Sequence, residues 1–149
     1  VVVVALPGDA TMRDDDGDHL EAAIAALTRV TSCEIRVHLA PRGDASTARA
    51  IATFEALGVD KTASHSGVLL YVALEVRRLV VVADEGIGDV VPRRAIERAM
   101  QMPEGPWVDA LARGAERLSR LLAPTFPPAR DVTGALSTEV TVDGGDGRG

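Results

Sequence analysis

Two apolar runs separated by four residues constrain this chain more than any other feature. Val68–Leu74 is hydrophobic at every position, and so is Leu79–Ala83. The connection Glu75-Val76-Arg77 is too short for anything but a hairpin, so strands expected at 68–74 and 78–83 pair antiparallel. Strands that are apolar throughout belong in the middle of a sheet, covered on both faces. Upstream, Cys33–Leu39 alternates, with Ile35, Val37 and Leu39 on one side and Glu34, Arg36 and His38 on the other. Between it and 68–74 lies a helical pattern over 46–58. It is capped by Asp44 or Ser46, carries Ile51, Phe54 and Leu57, and is stopped by Gly58. Such a strand–helix–strand crossover makes 33–39 and 68–74 parallel neighbours.

Three more helices are expected. One starts at Asp18 and runs toward Val30 with Leu20, Ile24 and Leu27 inward; another runs from Pro92 to Met100. The last opens at Pro106 and reaches Leu122, turning Trp107, Leu111, Leu118 and Leu122 to the core. Hydrophobic residues make up 46% of the chain but aromatics only 3%, so the core is aliphatic. The fold class that follows is α/β: a small mixed β-sheet sandwiched between α-helices in three layers. With 149 residues, one domain is expected. Its expected bounds are 18–128, preceded by a flexible acidic segment over 1–17 and followed by a largely disordered tail over 129–149. The acidic run Asp14-Asp15-Asp16-Gly17-Asp18 imitates a calcium loop, but the twelfth position counted from Asp14 is Ala25, where an EF-hand needs glutamate.

Charge and cysteine content narrow the function. The net charge of −6 argues against nucleic acid as a partner. Val1–Leu6 is far shorter than the roughly 20 apolar residues of a membrane helix, and no basic n-region precedes it, so a soluble, cytoplasmic protein is expected. Val1 is not a methionine, and Met12 offers an alternative start. Cys33 is the sole cysteine, which removes disulfide and cysteine-zinc chemistry and reads as a buried free thiol.

The topology brings chemistry to one rim. The starts of strands 33–39 and 68–74 and the end of 78–83 share one edge of the sheet. Glu34 marks the first; Ser64, His65 and Ser66 mark the second; Asp84 and Glu85, followed by Gly86-Ile87-Gly88, mark the third. Carboxylates and hydroxyls are hard ligands suited to Ca²⁺ or Mg²⁺, so Asp84, Glu85 and Glu34 are the candidate metal ligands. His65, whose ordinary pKa lies near neutrality, is the candidate acid–base group. The competing reading is structural, with Asp84 and Glu85 capping a turn or pairing with Arg77, Arg78 or Arg93.

Several segments, in order, resemble one family. Thr31-Ser32-Cys33-Glu34-Ile35-Arg36-Val37-His38 resembles the T-S-G-E-I-R-V segment of TPM domains, and Phe54–Thr62 resembles their F-x-x-L-G-[ML]-x-x-T. Gly67–Leu74 with Arg77-Arg78, Asp84-Glu85-Gly86-Ile87 and Thr125-Phe126-Pro127 resemble the N-G-V-L, E-R-R, G-D-x-G-I and closing F-P elements. The resemblance spans about residues 20–137 and implies a TPM-like three-layer sandwich. It implies a divalent-cation site with Asp84 and Glu85 at the acidic loop and Glu34 at the first strand. Some members of that family are described as acid phosphatases; others look like assembly factors or accessory subunits with a protein partner. Two functions are thus implied: a noncatalytic cation-binding or protein-interaction module, or a metal-dependent phosphatase-like hydrolase of small phosphomonoesters. His65-Ser66 stands where the family often has Arg-Asn, which removes a cationic partner for phosphate and favours the first. Cys33 replaces a small residue, Ala95 or Ile96 stands near a common Trp, and Gly134-Ala135-Leu136 replaces Asn-Glu-Leu.

Overall fold

The computed structural model of the chain describes residues 1–8, 11–42, 46–102, 104–128 and 140–142. Its centre is the expected hairpin: β3 (Val68–Ala73) pairs antiparallel with β4 (Arg78–Ala83), Val68 opposite Ala83 and Ala73 opposite Arg78. The turn closes with Arg77 N–H donating to Leu74 O at 3.1 Å, Arg77 itself taking φ 53°. A residue of positive φ after a tight turn is a common way to keep a short hairpin loop in register. The strand β2 (Ile35–Ala40) lies parallel to β3, Ile35 beside Val68, and the helix α2 (Thr47–Ala56) makes the crossover.

Two further strands complete the sheet and were not foreseen. Val2–Ala5 forms β1, antiparallel to β4 with Val2 opposite Val81, and Val140–Val142 forms β5, parallel to β2. The strand order is β1-β4-β3-β2-β5, a mixed sheet. The flexible segment expected over 1–17 is therefore corrected at its start: β1 is sheet, Val2 and Leu6 are buried, and Thr11 O accepts the Trp107 indole N–H at 2.9 Å. The tail expected over 129–149 contributes β5; its other residues, including Gly134-Ala135-Leu136, lie outside the described set, as does Asp44.

Helices cover both faces. One face carries Ile35, Val37 and Leu39 with Val68, Leu70, Val72, Leu79 and Val81. These pack under α1 (Asp16–Leu27), α4 (Arg93–Ala99) and α5 (Trp107–Leu122). The inward residues of α5 include the expected Trp107, Leu111, Leu118 and Leu122, joined by Ala110, Ala115 and Ser119. The other face carries Leu69, Tyr71, Ala73, Val80 and Val82 under α2, through Ala50 and Phe54, and a 3₁₀ turn at Val59–Lys61. Helix α2 starts where Ser46 Oγ accepts the Arg49 N–H at 3.2 Å and is followed by Gly58 in the left-handed region, φ 74°. Ile51, expected inward, is exposed, because Ala50 and Phe54 set the buried stripe one position round the helix. Helix α1 begins two residues before the expected Asp18, and Asp16 Oδ2 accepts the Arg13 N–H.

The polar side of β2 is buried as well. Arg36 and His38 share the α2 face with Leu69 and Tyr71, their partners in β3. His38 stacks on Tyr71, ring centroids 5.6 Å apart, and its Nδ1 lies 2.7 Å from Thr141 Oγ1 in β5.

Candidate functional site

The registers place the first residues of β2 and β3 and the last of β4 side by side, so the rim expected from the topology exists. Its residues fall into two adjoining groups. In the first, Asp84 follows β4 and stands at the N-cap of a short helix, α3 (Glu85–Gly88). There its Oδ1 accepts the Glu85 N–H at 2.8 Å. The capping role weighed for Asp84 is therefore real, and the segment expected as a glycine loop is a helical turn. The second oxygen, Oδ2, is shielded from solvent and accepts no hydrogen bond among the described residues. His65 Nδ1 lies 3.6 Å from it. Glu85, on the first turn of α3, is exposed.

His65 owes this position to its backbone. It takes φ 50°, a region that non-glycine residues rarely occupy and that histidine tolerates better than most. Its carbonyl accepts the Gly86 N–H at 2.9 Å, while Asp84 N–H reaches Gly67 O at 2.9 Å. These two bonds stitch the loop before β3 to the turn after β4. The glycines there are steric necessities: a Cβ on Gly86 would lie 2.5 Å from His65 O, and one on Gly67 would collide with Val59 O.

The second group surrounds Glu34, one residue before β2. A cleft of about 320 Å³ is lined by Glu34 and Ser32, by Gly58 and Lys61, and by Thr62, Ser64 and Ser66. Ser64 and Ser66 hydroxyls lie 3.1 Å apart, and Ser66 N–H donates to Thr62 Oγ1 at 2.8 Å. Glu34 faces Arg36, Oε2 to Nη1, at 3.8 Å. Arg36 is 7% exposed and, among the described residues, its Nε has no acceptor and its guanidinium has one distant counter-charge, so a positive charge sits inside the fold. Cys33, beside Glu34, is buried and free; burial pushes its thiol pKa up from 9.0, against smaller lowering by hydrogen bonds from Thr31 and Ser66. Such a thiol is protonated and unreactive at neutral pH.

The rim thus joins His65 to Asp84 and Glu34 to Arg36. Among the described residues, no three His, Cys, Asp or Glu side chains are grouped to hold a metal ion. Thr31 and Lys61 were not singled out as rim residues. For Thr31 the missing signal is a long-range contact, its hydroxyl donating to Phe126 O at 2.6 Å. Among the described residues no helix is long and apolar enough to cross a membrane.

A mixed five-stranded sheet between two helical layers, with a hydroxyl- and carboxylate-bearing rim, defines an α/β sandwich of the TPM type. The TPM domain family model matches residues 8–120, and the chain belongs to that family. A search of the curated proteins finds no match. Among solved structures, the chain is similar to the NMR structure of BA42 protein from the psychrophilic bacterium Bizionia argentinensis. The two share 30% identity with a TM-score of 0.72, over 88% of this chain and 94% of that one.

Proposed function

We propose that this chain is a noncatalytic divalent-cation-binding or protein-interaction module whose acidic rim, centred on Asp84, receives positive charge. One observation carries the reading: Asp84 Oδ2 is shielded and, among the described residues, accepts no hydrogen bond. A carboxylate oxygen removed from water without a partner costs several kcal/mol, on the order of 2–7 for unpaired polar groups. A cation or a basic side chain placed there would recover that cost. Since three ligating side chains are not gathered among the described residues, a bound ion would keep much of its own water. Mg²⁺ favours this manner, needing only one or two carboxylates. Asp84 would be the anchor and Glu85 the exposed auxiliary; Glu34, held toward Arg36, would join by turning from it. Turnover fits the rim less well. His65 has no hydrogen-bonded nucleophile among its described contacts, and His65-Ser66 stands just before Gly67 where an arginine–asparagine pair would offer phosphate a cation.

The test is a titration of the full chain with CaCl₂ and, separately, MgCl₂, read as melting temperature, for wild type and Asp84→Asn, alongside hydrolysis of p-nitrophenyl phosphate. The expected result is a saturable rise in melting temperature in wild type, absent in the variant, without hydrolysis in either. Metal-dependent hydrolysis lost in Asp84→Asn would replace this reading with a phosphatase-like one. Failure of both metals to stabilise wild type would overturn the cation half of it. The interaction half would then rest on the same Asp84→Asn change weakening capture by a basic peptide column, and an unchanged retention would overturn that too.

A further inference from the structure

The edge of the sheet far from β5 carries its own logic. Among the described residues, β1 has a neighbour on one side alone, β4. Leu6 N–H donates to Arg77 O at 3.0 Å, so by the alternation of an antiparallel ladder Val2 and Val4 also turn their backbone groups to β4. The backbone groups of Val1, Val3 and Ala5 therefore point away from the sheet. This edge lacks the lysine, proline or inward charge that ordinarily blunts an open strand, and Val1 and Val3 are each 43% exposed.

The helix beside it carries opposite charges in a definite order. Arg93 and Glu97 are four residues apart on α4 and so share one face. Arg93 borders a hollow with Val1 and Val2; Glu97 borders another with Val3, Val4 and Ala5. The charges thus run along β1, positive by its start and negative by its end. A second copy laid antiparallel against the edge reverses that order, so that positive meets negative.

We propose that β1 pairs with β1 of a second copy of this chain about a twofold axis near Val3, continuing the sheet across the interface. In this register Val3 lies opposite Val3 of the partner subunit and Val1 opposite Ala5 of the partner subunit, all with outward backbone groups, so each pair exchanges N–H···O bonds. The same axis sets Arg93, by Val1 and Val2, against Glu97 of the partner subunit, by the partner's Val3, Val4 and Ala5, twice. A register centred one residue earlier would bring Arg93 against its own copy, and the charges select against it. The interface is isologous, as twofold contacts must be.

The experiment is sedimentation of the full chain over a concentration series, with wild type, Val3→Lys, Arg93→Glu, Glu97→Arg and the Arg93→Glu/Glu97→Arg double variant. Circular dichroism melts confirm that each is folded; all three positions are at the surface or its margin. Wild type is expected to associate to twice its 15.6 kDa mass. Val3→Lys should remain monomeric. Each single charge reversal should weaken association about tenfold, the size two half-exposed ion pairs supply, and the double variant should recover to within about threefold. A wild type monomeric at every concentration, a dimer indifferent to Val3→Lys, or a double variant no stronger than the singles would each overturn the proposal.

Discussion

Gly86 and His65 meet backbone to backbone: the Gly86 N–H donates to His65 O at 2.9 Å, and a Cβ on Gly86 would stand 2.5 Å from that same oxygen. The contact joins two segments that the sheet merely brings near. It also holds His65 in its left-handed conformation, with Nδ1 directed to Asp84.

Gly86→Ala is therefore expected to destabilise, although alanine is the better helix former by about 1 kcal/mol. The obstructing atoms are backbone carbonyls that cannot swing aside, and overpacking of this kind costs about 1–3 kcal/mol. Denaturant unfolding should show the loss, and the His65 ring resonances should move with it.

Arg36 invites an opposite result. A buried guanidinium with an unpartnered Nε and a carboxylate at 3.8 Å gains little from charge pairing against its desolvation. Arg36→Met combined with Glu34→Leu, which replaces the whole pair by apolar side chains, is expected to be neutral or stabilising by about 1 kcal/mol. Glu34→Ala, which strands the charge, should cost about 2–3 kcal/mol. Chemical denaturation of the two variants checks both signs, and equal losses in both would contradict this account.

The thiol of Cys33 sets an alkaline limit. Burial raises its folded pKa above the ordinary 9.0, so the folded state holds the proton more tightly than the unfolded chain does. That stabilisation is fully present below the unfolded pKa and is lost as pH rises through the folded pKa. Unfolding free energy should fall more steeply above about pH 9 in wild type than in Cys33→Ala. Thiol reagents should label the native protein only as fast as it opens.

Phe54 is the one large side chain through which α2 enters the smaller core, beside Ala50, Tyr71 and Val80. Phe54→Ala is expected to cost about 3–5 kcal/mol. Hydrogen exchange should rise first in α2 and the Val59–Lys61 turn, leaving α5 protected.

What the sequence disclosed, and what it withheld, divides along physical lines. The hairpin was legible because its loop admits one geometry. The parallel β2–β3 pair followed from a crossover with clear caps at Ser46 and Gly58. Short edge strands were not legible: Val2–Ala5 and Val140–Val142 are defined by partners at Val81 and Val37, far along the chain. Alternation correctly assigned Arg36 and His38 to one face but not its burial, which depends on Tyr71 stacking and on Thr141. The rim itself was placed correctly by topology. Its division into an Asp84–His65 pair and a Glu34–Arg36 pair depends on the φ of His65 and on side-chain reach, which no spacing encodes.

The pairing of Val2 with Val81 has a consequence for synthesis. During translation, β1 leaves the ribosome long before β4 exists, so a valine run with high strand propensity must wait unpaired while the centre of the sheet is made. The hairpin then forms with one flank open, and the waiting strand closes it. Until that moment the nascent chain displays two sticky edges rather than one.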